Sequence, residues 1–441
     1  MNKILFLSVV ILSNLHFTIA QEFSLFDAQT YALEKAEKIK RAELDFEDAK
    51  KKVVETRAIG LPQINSDFNF QNFLSIPVQA VDGSFIGQPG ELVTFRAGTD
   101  YMAGAGVTVN QLLFDGSYIV GLQVSNFYKK FVEDNIEKSQ QEVLYDVTRA
   151  YELALVSREN KIFLDTLVQS AQDLLDQQKN FYELGMISAE DVDQIKFALL
   201  QAKTNKSAAH YSYENAIAFL KMTMSYPMDE PIILTETLDG IMSELKSIDA
   251  YAGSIYDNID YKLLQKQKKL NEYDLKNMRM ANLPKLNATF GHQYNYFANE
   301  EFRPINAPWF YQTFVGVSLS VPIFSSGARW ARVQQAKIAV KQDEFTIQEM
   351  ERGLKMQEQQ YKNDFLSARE QLDLQKENVK LATRIYENAL VKAEIGKENS
   401  LEVTQKYQQL VTAQTQYVNA MIDVFTAKLN IDQLYNKLNR D

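Results

Sequence analysis

The 441-residue chain contains no cysteine. Disulfides, thiolate metal sites and lipidation of a terminal thiol are therefore excluded. Histidine is nearly as scarce: His16, His210 and His292 lie far apart, so no ligand spacing points to a metal. Only 17 glycines and 9 prolines punctuate the chain, which must therefore be built of long elements. Catalytic signatures are missing as well. There is no G-x-S-x-G; Gly396-Lys397 is followed by Glu398 and lacks the glycine a phosphate loop requires; Gly104 and Gly106 form a lone G-x-G in a strand pattern, read as a close backbone approach. No enzyme activity, metal or cofactor is expected. The 47 basic side chains are outnumbered by 57 acidic ones, and the formal charge of -10 opposes a nucleic-acid partner through phosphate repulsion. Beyond residue 20 no apolar run reaches the roughly 18 residues of a membrane-spanning helix, so any membrane crossing must be made by strands.

Residues 1–20 have the pattern of an export signal: Lys3, an apolar run from Ile4 to Leu12, and Thr18-Ile19-Ala20 before Gln21. The other reading of that run is a buried N-terminal strand. After it, the spacing predicts a charged helix from Ser24 to Ile59, about 54 Å long, stopped by Leu61-Pro62. Alternation follows, with Ile64, Phe68 and Phe70 on one side and Asn65, Asp67, Asn69 and Gln71 on the other, the pattern of a strand with one apolar and one wet face. Pro77 to Arg96, carrying Gly83, Gly87, Pro89 and Gly90, reads as a loop. A second strand has Tyr101, Ala103, Ala105, Val107 and Val109 on one face and Gly104, Gly106, Thr108 and Asn110 on the other. A helix of about 100 Å then runs from Gly116 to Leu184.

The second half repeats the first. LPKLNATFGHQ, from Leu283, copies LPQINSDFNFQ, from Leu61; GVSLS at Gly316 copies GVTVN at Gly106; and the first inter-strand loop is the longer of the two. The expected organisation is a first structural repeat over 21–225 (strands near 63–75 and 99–113, long helix 116–184, tip helix 189–224), a linker at 226–250 with a short strand at Ile232 to Thr235, and a second repeat over 251–441 (helix 250–281, strands 284–297 and 310–323, long helix 327–395, tip helix 400–438). The clearest shared feature is a helix-stop-helix, ELGMISAEDVDQ at Glu183 and EIGKENSLEVTQ at Glu394. In each copy a glycine, Gly185 or Gly396, supplies the left-handed residue that ends one helix. A capping box then opens the next, Ser188 with Asp191 and Asn399 with Glu402.

Four strands with an apolar face cannot close a barrel, which takes about eight, and an open edge in lipid leaves backbone groups unpaired. The chain is therefore expected to oligomerise. A soluble four-stranded sheet packed on helices is the competing reading. Against it, aromatics gather at both strand ends: Phe95, Tyr101, Tyr294, Tyr296, Trp309, Phe310 and Tyr311 towards the loops, Phe114, Phe324 and Trp330 towards the helices. Trp309, Tyr311, Phe114, Phe324 and Trp330 are the expected interfacial anchors in outer-membrane lipid.

These motifs together resemble the TolC-like outer-membrane efflux proteins. The likeness covers nearly the whole mature chain: the duplication, LP-x-[IL]-N before a strand, Phe114-Asp115-Gly116 and Phe324-Ser325-Ser326-Gly327 before each long helix, and two G-x5-[DE]-V tips. It implies a mainly α chain with four transmembrane β-strands, assembled as a homotrimer into an α/β-barrel channel that spans the outer membrane and extends into the periplasm. It implies an equatorial collar around Tyr226 to Ala250. It further implies a passive exit duct of a tripartite efflux or type I secretion system, opened at its tips by a periplasmic adaptor and an inner-membrane pump. Tip turns for adaptor contact fall on Gly185, Met186, Ile187, Gly396, Lys397 and Glu398. The gate's acidic ring falls on Glu402, its second acid on Gln405, a departure, and the carboxylate tying neighbouring helices on Asp191, whose usual tyrosine and arginine partners fall on Ala393 and Glu398. Both Glu402 and Asp191 would also cap their helices, so capping alone and capping with gating stay open. The alternative from another class is a non-conducting coiled-coil scaffold or adhesin stalk anchored in the outer membrane.

Overall fold

The computed structural model describes residues 21–82, 84, 87, 89–243, 245, 253–305 and 307–438. The export signal expected at 1–20, together with His16, lies outside them. So do 244 and 246–250 at the end of the expected linker, and 251–252 at the start of the expected second repeat.

In order, the elements are β1 (Gln21–Phe23), α1 (Leu25–Lys35), α2 (Glu37–Ala58), β2 (Gln63–Asn72), β3 (Val78–Asp82), β4 (Leu92–Arg96), β5 (Tyr101–Phe114), α3 (Gly116–Glu183) and α4 (Ala189–Met224). They continue with β6 (Ile232–Leu234), α5 (Leu238–Ser243), α6 (Ile259–Met280), β7 (Lys285–Ala298), β8 (Phe310–Ser320), α7 (Ala328–Glu394) and α8 (Ser400–Leu434). The protein is mostly helical, and a strand pair, a long helix and a second helix occur twice. The two copies are not the compact units, however. One unit comprises the chain to Leu44, Glu133–Leu264 and Ile347 onward; the other comprises Asp45–Val132 and Gln265–Thr346. Each unit draws on both copies, because β5 pairs with β7 and α4 packs on α8.

Three expectations need correction. The helix expected from Ser24 to Ile59 is two helices, broken at Ala36, whose ψ of 125 is non-helical. Neither glycine nor proline marks the break. It is held by tertiary contacts: Ala36 is buried, and the Glu37 carboxylate that opens α2 accepts a hydrogen bond from the Ser225 hydroxyl at the end of α4. The loop expected from Pro77 to Arg96 contains the antiparallel hairpin β3–β4, in register from Val78↔Arg96 to Asp82↔Leu92. Gly87, Pro89 and Gly90 fall between the two strands, and Val78, Val81, Val93 and Thr94 favour strand. The helix expected from residue 250 begins only at Ile259, after a 3-10 turn at Ile255–Asp257 whose cap, Asn258, accepts hydrogen bonds from the Asp260 and Tyr261 backbone N–H groups.

In the first unit, β1 pairs in parallel with β6, and Phe23 lies at 1% exposure between Tyr31 and Tyr226, edge-on to both rings. The Tyr151 hydroxyl donates to Phe23 O at 2.9 Å, and the Arg158 guanidinium donates to Leu234 O and Glu236 O, so the short sheet is bonded from the side by α3. Helix packing around it is dominated by small and aliphatic residues, with Leu220, Phe365 and Val424 fully buried. A second cluster nearer the helix ends is built on Ile195, Leu199, Tyr386, Tyr407 and Leu410.

The second unit holds a four-stranded antiparallel sheet in the order β2-β5-β7-β8. Pairings such as Phe68↔Ala105↔Tyr294↔Tyr311 and Asn69↔Gly104↔Asn295↔Phe310 keep the expected faces together across all four strands. The glycines on the wet face admit close neighbours: a Cβ at Gly104 would lie 2.3 Å from Asn69 Oδ1, and one at Gly291 would lie 2.4 Å from the Phe314 ring. Truncating the buried ring in Phe365→Ala is expected to destabilise the protein by about 3–5 kcal/mol and Leu220→Ala by about 2–5; a fall in the midpoint of thermal unfolding checks both.

Candidate functional site

Two regions carry the expected functional residues, one in each unit. The first is the pair of helical hairpin tips. Each long helix ends in a Schellman turn. Met186 N–H donates to Phe181 O at 2.9 Å and Gly185 N–H to Tyr182 O at 2.9 Å; Lys397 and Gly396 make the equivalent bonds to Lys392 O and Ala393 O at 2.8 and 3.1 Å. Gly185 and Gly396 have φ of 72 and 68, a region where a side chain would clash with the backbone.

The two caps differ. In the first tip both halves of the capping box form: Asp191 N–H donates to Ser188 Oγ at 3.2 Å and Ser188 N–H to Asp191 Oδ2 at 3.2 Å. In the second, Glu402 N–H donates to Asn399 Oδ1 at 2.8 Å, but the Glu402 carboxylate does not reach back to Asn399. The reciprocal box expected there is absent. A glutamate side chain is one methylene longer than the aspartate at the matching position, and here Glu402 is exposed.

The tips converge on a groove of about 660 Å³ lined by Met186, Ile187, Asp191, Gly396, Lys397, Glu398 and Glu402, together with Phe181 and Ser400. Gly185 and Gln405 are exposed and stand outside this lining. Ser188 holds the Asp191 carboxyl below its ordinary range, and the Ser400 hydroxyl of the other tip lowers it further. The hydrogen bonds Asp191 makes are to Ser188 of its own cap. Sequence reasoning missed Ser400, which is 6% exposed. The signal was a difference between the copies, since the serine stands where the first tip has Ala189. Glu398, 11% exposed, pairs with Lys392 at 3.3 Å, and Ala393 is buried; neither engages Asp191 through a tyrosine or arginine.

The second region is the sheet. Its apolar face is uncovered: Ile64, Phe68, Val315 and Val317 are each at least two-thirds exposed. Among the expected anchors, Phe324, Trp330 and Tyr311 are widely exposed and Phe114 partly so. Trp309 is packed instead, 5.5 Å from the Tyr296 ring with its indole N–H donating to Pro304 O at 3.2 Å. Phe302, not singled out from sequence, joins Phe70, Tyr101 and Tyr296 into one aromatic cluster at the loop end. His292 bonds Thr313 at 2.6 Å on the apolar face, and His210 lies exposed beside Tyr211. Among the described residues no cluster of histidine and carboxylate side chains could hold a metal ion, and no helix is long and apolar enough to cross a membrane.

Fold and sites together define a duplicated strand-and-long-helix class of protein with an uncovered apolar sheet face and paired helical tips. The sequence matches the outer membrane efflux protein family over residues 30–222 and 265–437, and the chain belongs to that family. Among solved structures it resembles the CmeC outer membrane channel of Campylobacter jejuni, with a TM-score of 0.72 at 16% identity over 94% of this chain and 85% of that one. It also resembles CusC, with a TM-score of 0.73 at 12% identity over 93% and 91%, and the open state of the MtrE channel of Neisseria gonorrhoeae, with 0.68 at 16% over 94% and 88%. No curated protein matches the sequence. The protein is a TolC-like component of the outer membrane and not an enzyme.

Because its hydrogen bonds with Ser188 hold the Asp191 carboxyl below its ordinary value in the folded state, the cap stabilises the tip above the unfolded carboxylate range, and that stability is lost as pH falls through the folded value. Hydrogen-exchange protection at residues 186–191, after correction for the intrinsic exchange rate at each pH, is expected to fall as the pH drops below about 4. Ser188→Ala, which removes the cap at neutral pH as well, should cost about 1 kcal/mol of helix stability.

Proposed function

We propose that this chain forms a homotrimeric, passive exit duct of a tripartite efflux or secretion system. Solutes enter between the hairpin tips from a periplasmic adaptor and an inner-membrane pump, and leave through a strand-walled passage in the outer membrane. The observation that carries this reading is the sheet: four strands with one continuous apolar face and one wet face, and with β2 and β8 each paired on one side only. In hydrocarbon, an unpaired edge costs several kcal/mol per orphaned backbone group, so the edges call for partners from other copies, and closure makes the wet face the wall of a cavity. The likeness to solved outer membrane channels supports the same reading.

Glu402 is the proposed gate residue. Its carboxylate is exposed at the rim of the tip groove and is not consumed by its own helix cap. Three such carboxylates around an axis would repel one another and exclude anions. Gln405 adds hydrogen bonding without charge, and Asp191 serves its own helix cap. The tip turns from Gly185 to Ile187 and from Gly396 to Glu398 are the proposed adaptor contacts. Phe324, Trp330, Tyr311 and Phe114 are proposed as lipid anchors, whereas Trp309 acts through its packing on Tyr296.

Planar-bilayer recording tests the duct. The expected result is a small conductance that rises in Glu402→Ala. A protein that assembles as a trimer yet passes no current in either form favours the scaffold reading instead.

A further inference from the structure

The wet face of the sheet carries a charge asymmetry. Within β2, β5, β7 and β8 the only carboxylate is Asp67 and the only ammonium is Lys285. Lys285 is held by Asp115 at 2.7 Å at the helix end of the sheet. Asp67 has no hydrogen bond or ion pair among the described residues, and it is exposed near the middle of β2. The register explains why it stays bare. Its row reads Asp67↔Gly106↔Gln293↔Gln312, so the adjacent strand offers no side chain. A Cβ at Gly106 would come within 3.1 Å of Gln293 Cβ, which leaves little room for one. The next amide in the row is occupied, with Gln293 Nε2 donating to Gln312 Oε1 at 3.0 Å. Around Asp67 the wet face consists of uncharged groups: Asn65, Asn69, Thr108, Asn110 and Asn295.

Resting on the duct reading, we propose that Asp67 sets the charge preference of the strand-walled passage, favouring cationic over anionic solutes. A wall of amides and hydroxyls presents donors and acceptors alike and discriminates weakly by charge. One unpaired carboxylate per chain breaks that balance. Its field reaches about 8 Å at physiological ionic strength, enough to act on solutes passing the wall.

The lack of cysteine permits a local test in the full-length protein reconstituted in liposomes. Asn69→Cys places a thiol on the same face as Asp67, about 7 Å along the strand. The probes are trimethylammonioethyl and sulfonatoethyl methanethiosulfonate, with each rate divided by that for a free small thiol. The cationic reagent is expected to be favoured roughly two- to sevenfold. Adding Asp67→Asn should bring the normalised ratio close to one, and Phe68→Cys on the opposite face should react with neither reagent. A conducting protein whose ratio is the same with and without Asp67→Asn overturns the inference alone, as does one in which Asn69→Cys is unreactive. A preparation that does not conduct overturns the duct reading and the inference with it.

Discussion

Backbone hydrogen bonding at the two outer strands is the constraint on which the rest depends. β5 and β7 have partners on both sides, whereas β2 and β8 have one each. A soluble sheet of this kind could leave its edges to water, but this one presents a continuous apolar face from Ile64 to Leu319 that water disfavours. In the proposed duct, lipid covers the face and strands from other copies cover the edges, so that both demands are met together. The outer membrane is where the family places such chains.

The helices answer a different requirement. They carry few glycines and many alanines at buried positions, among them Ala28, Ala32, Ala150, Ala154, Ala202 and Ala413, so helix backbones approach closely without large side chains to separate them. The places where the helical run stops are made differently from one another. At the tips, glycine in the left-handed region ends the helix from within the sequence. At Ala36 no local residue demands a stop, and burial together with the contact between Glu37 and Ser225 makes it. Ser225 itself takes a φ of 56 without being glycine, and its hydroxyl bond to Glu37 holds it there.

The duplicated tips illustrate how copies diverge under different demands. Both retain the glycine turn and an acidic residue at the third helical position. In the first copy the acid closes its capping box; in the second it stands free of its cap at the rim of the groove. One methylene separates a carboxylate held in its own helix cap from one that is left to face solvent.

Much was legible in the sequence because it is encoded locally. Period-two alternation placed the apolar and wet faces of β2 and β5, glycine placed the tip turns, and the repeat related the halves of the chain. These signals arise from covalent geometry and side-chain size and need no partner to be read. The break at Ala36, the β3–β4 hairpin, the packing of Trp309 on Tyr296 and the bareness of Asp67 beside Gly106 were decided only by the tertiary structure. Each depends on which residues from distant parts of the chain come to lie side by side. A single sequence has no term for that, since strand register and helix packing are collective and local propensity is silent about them.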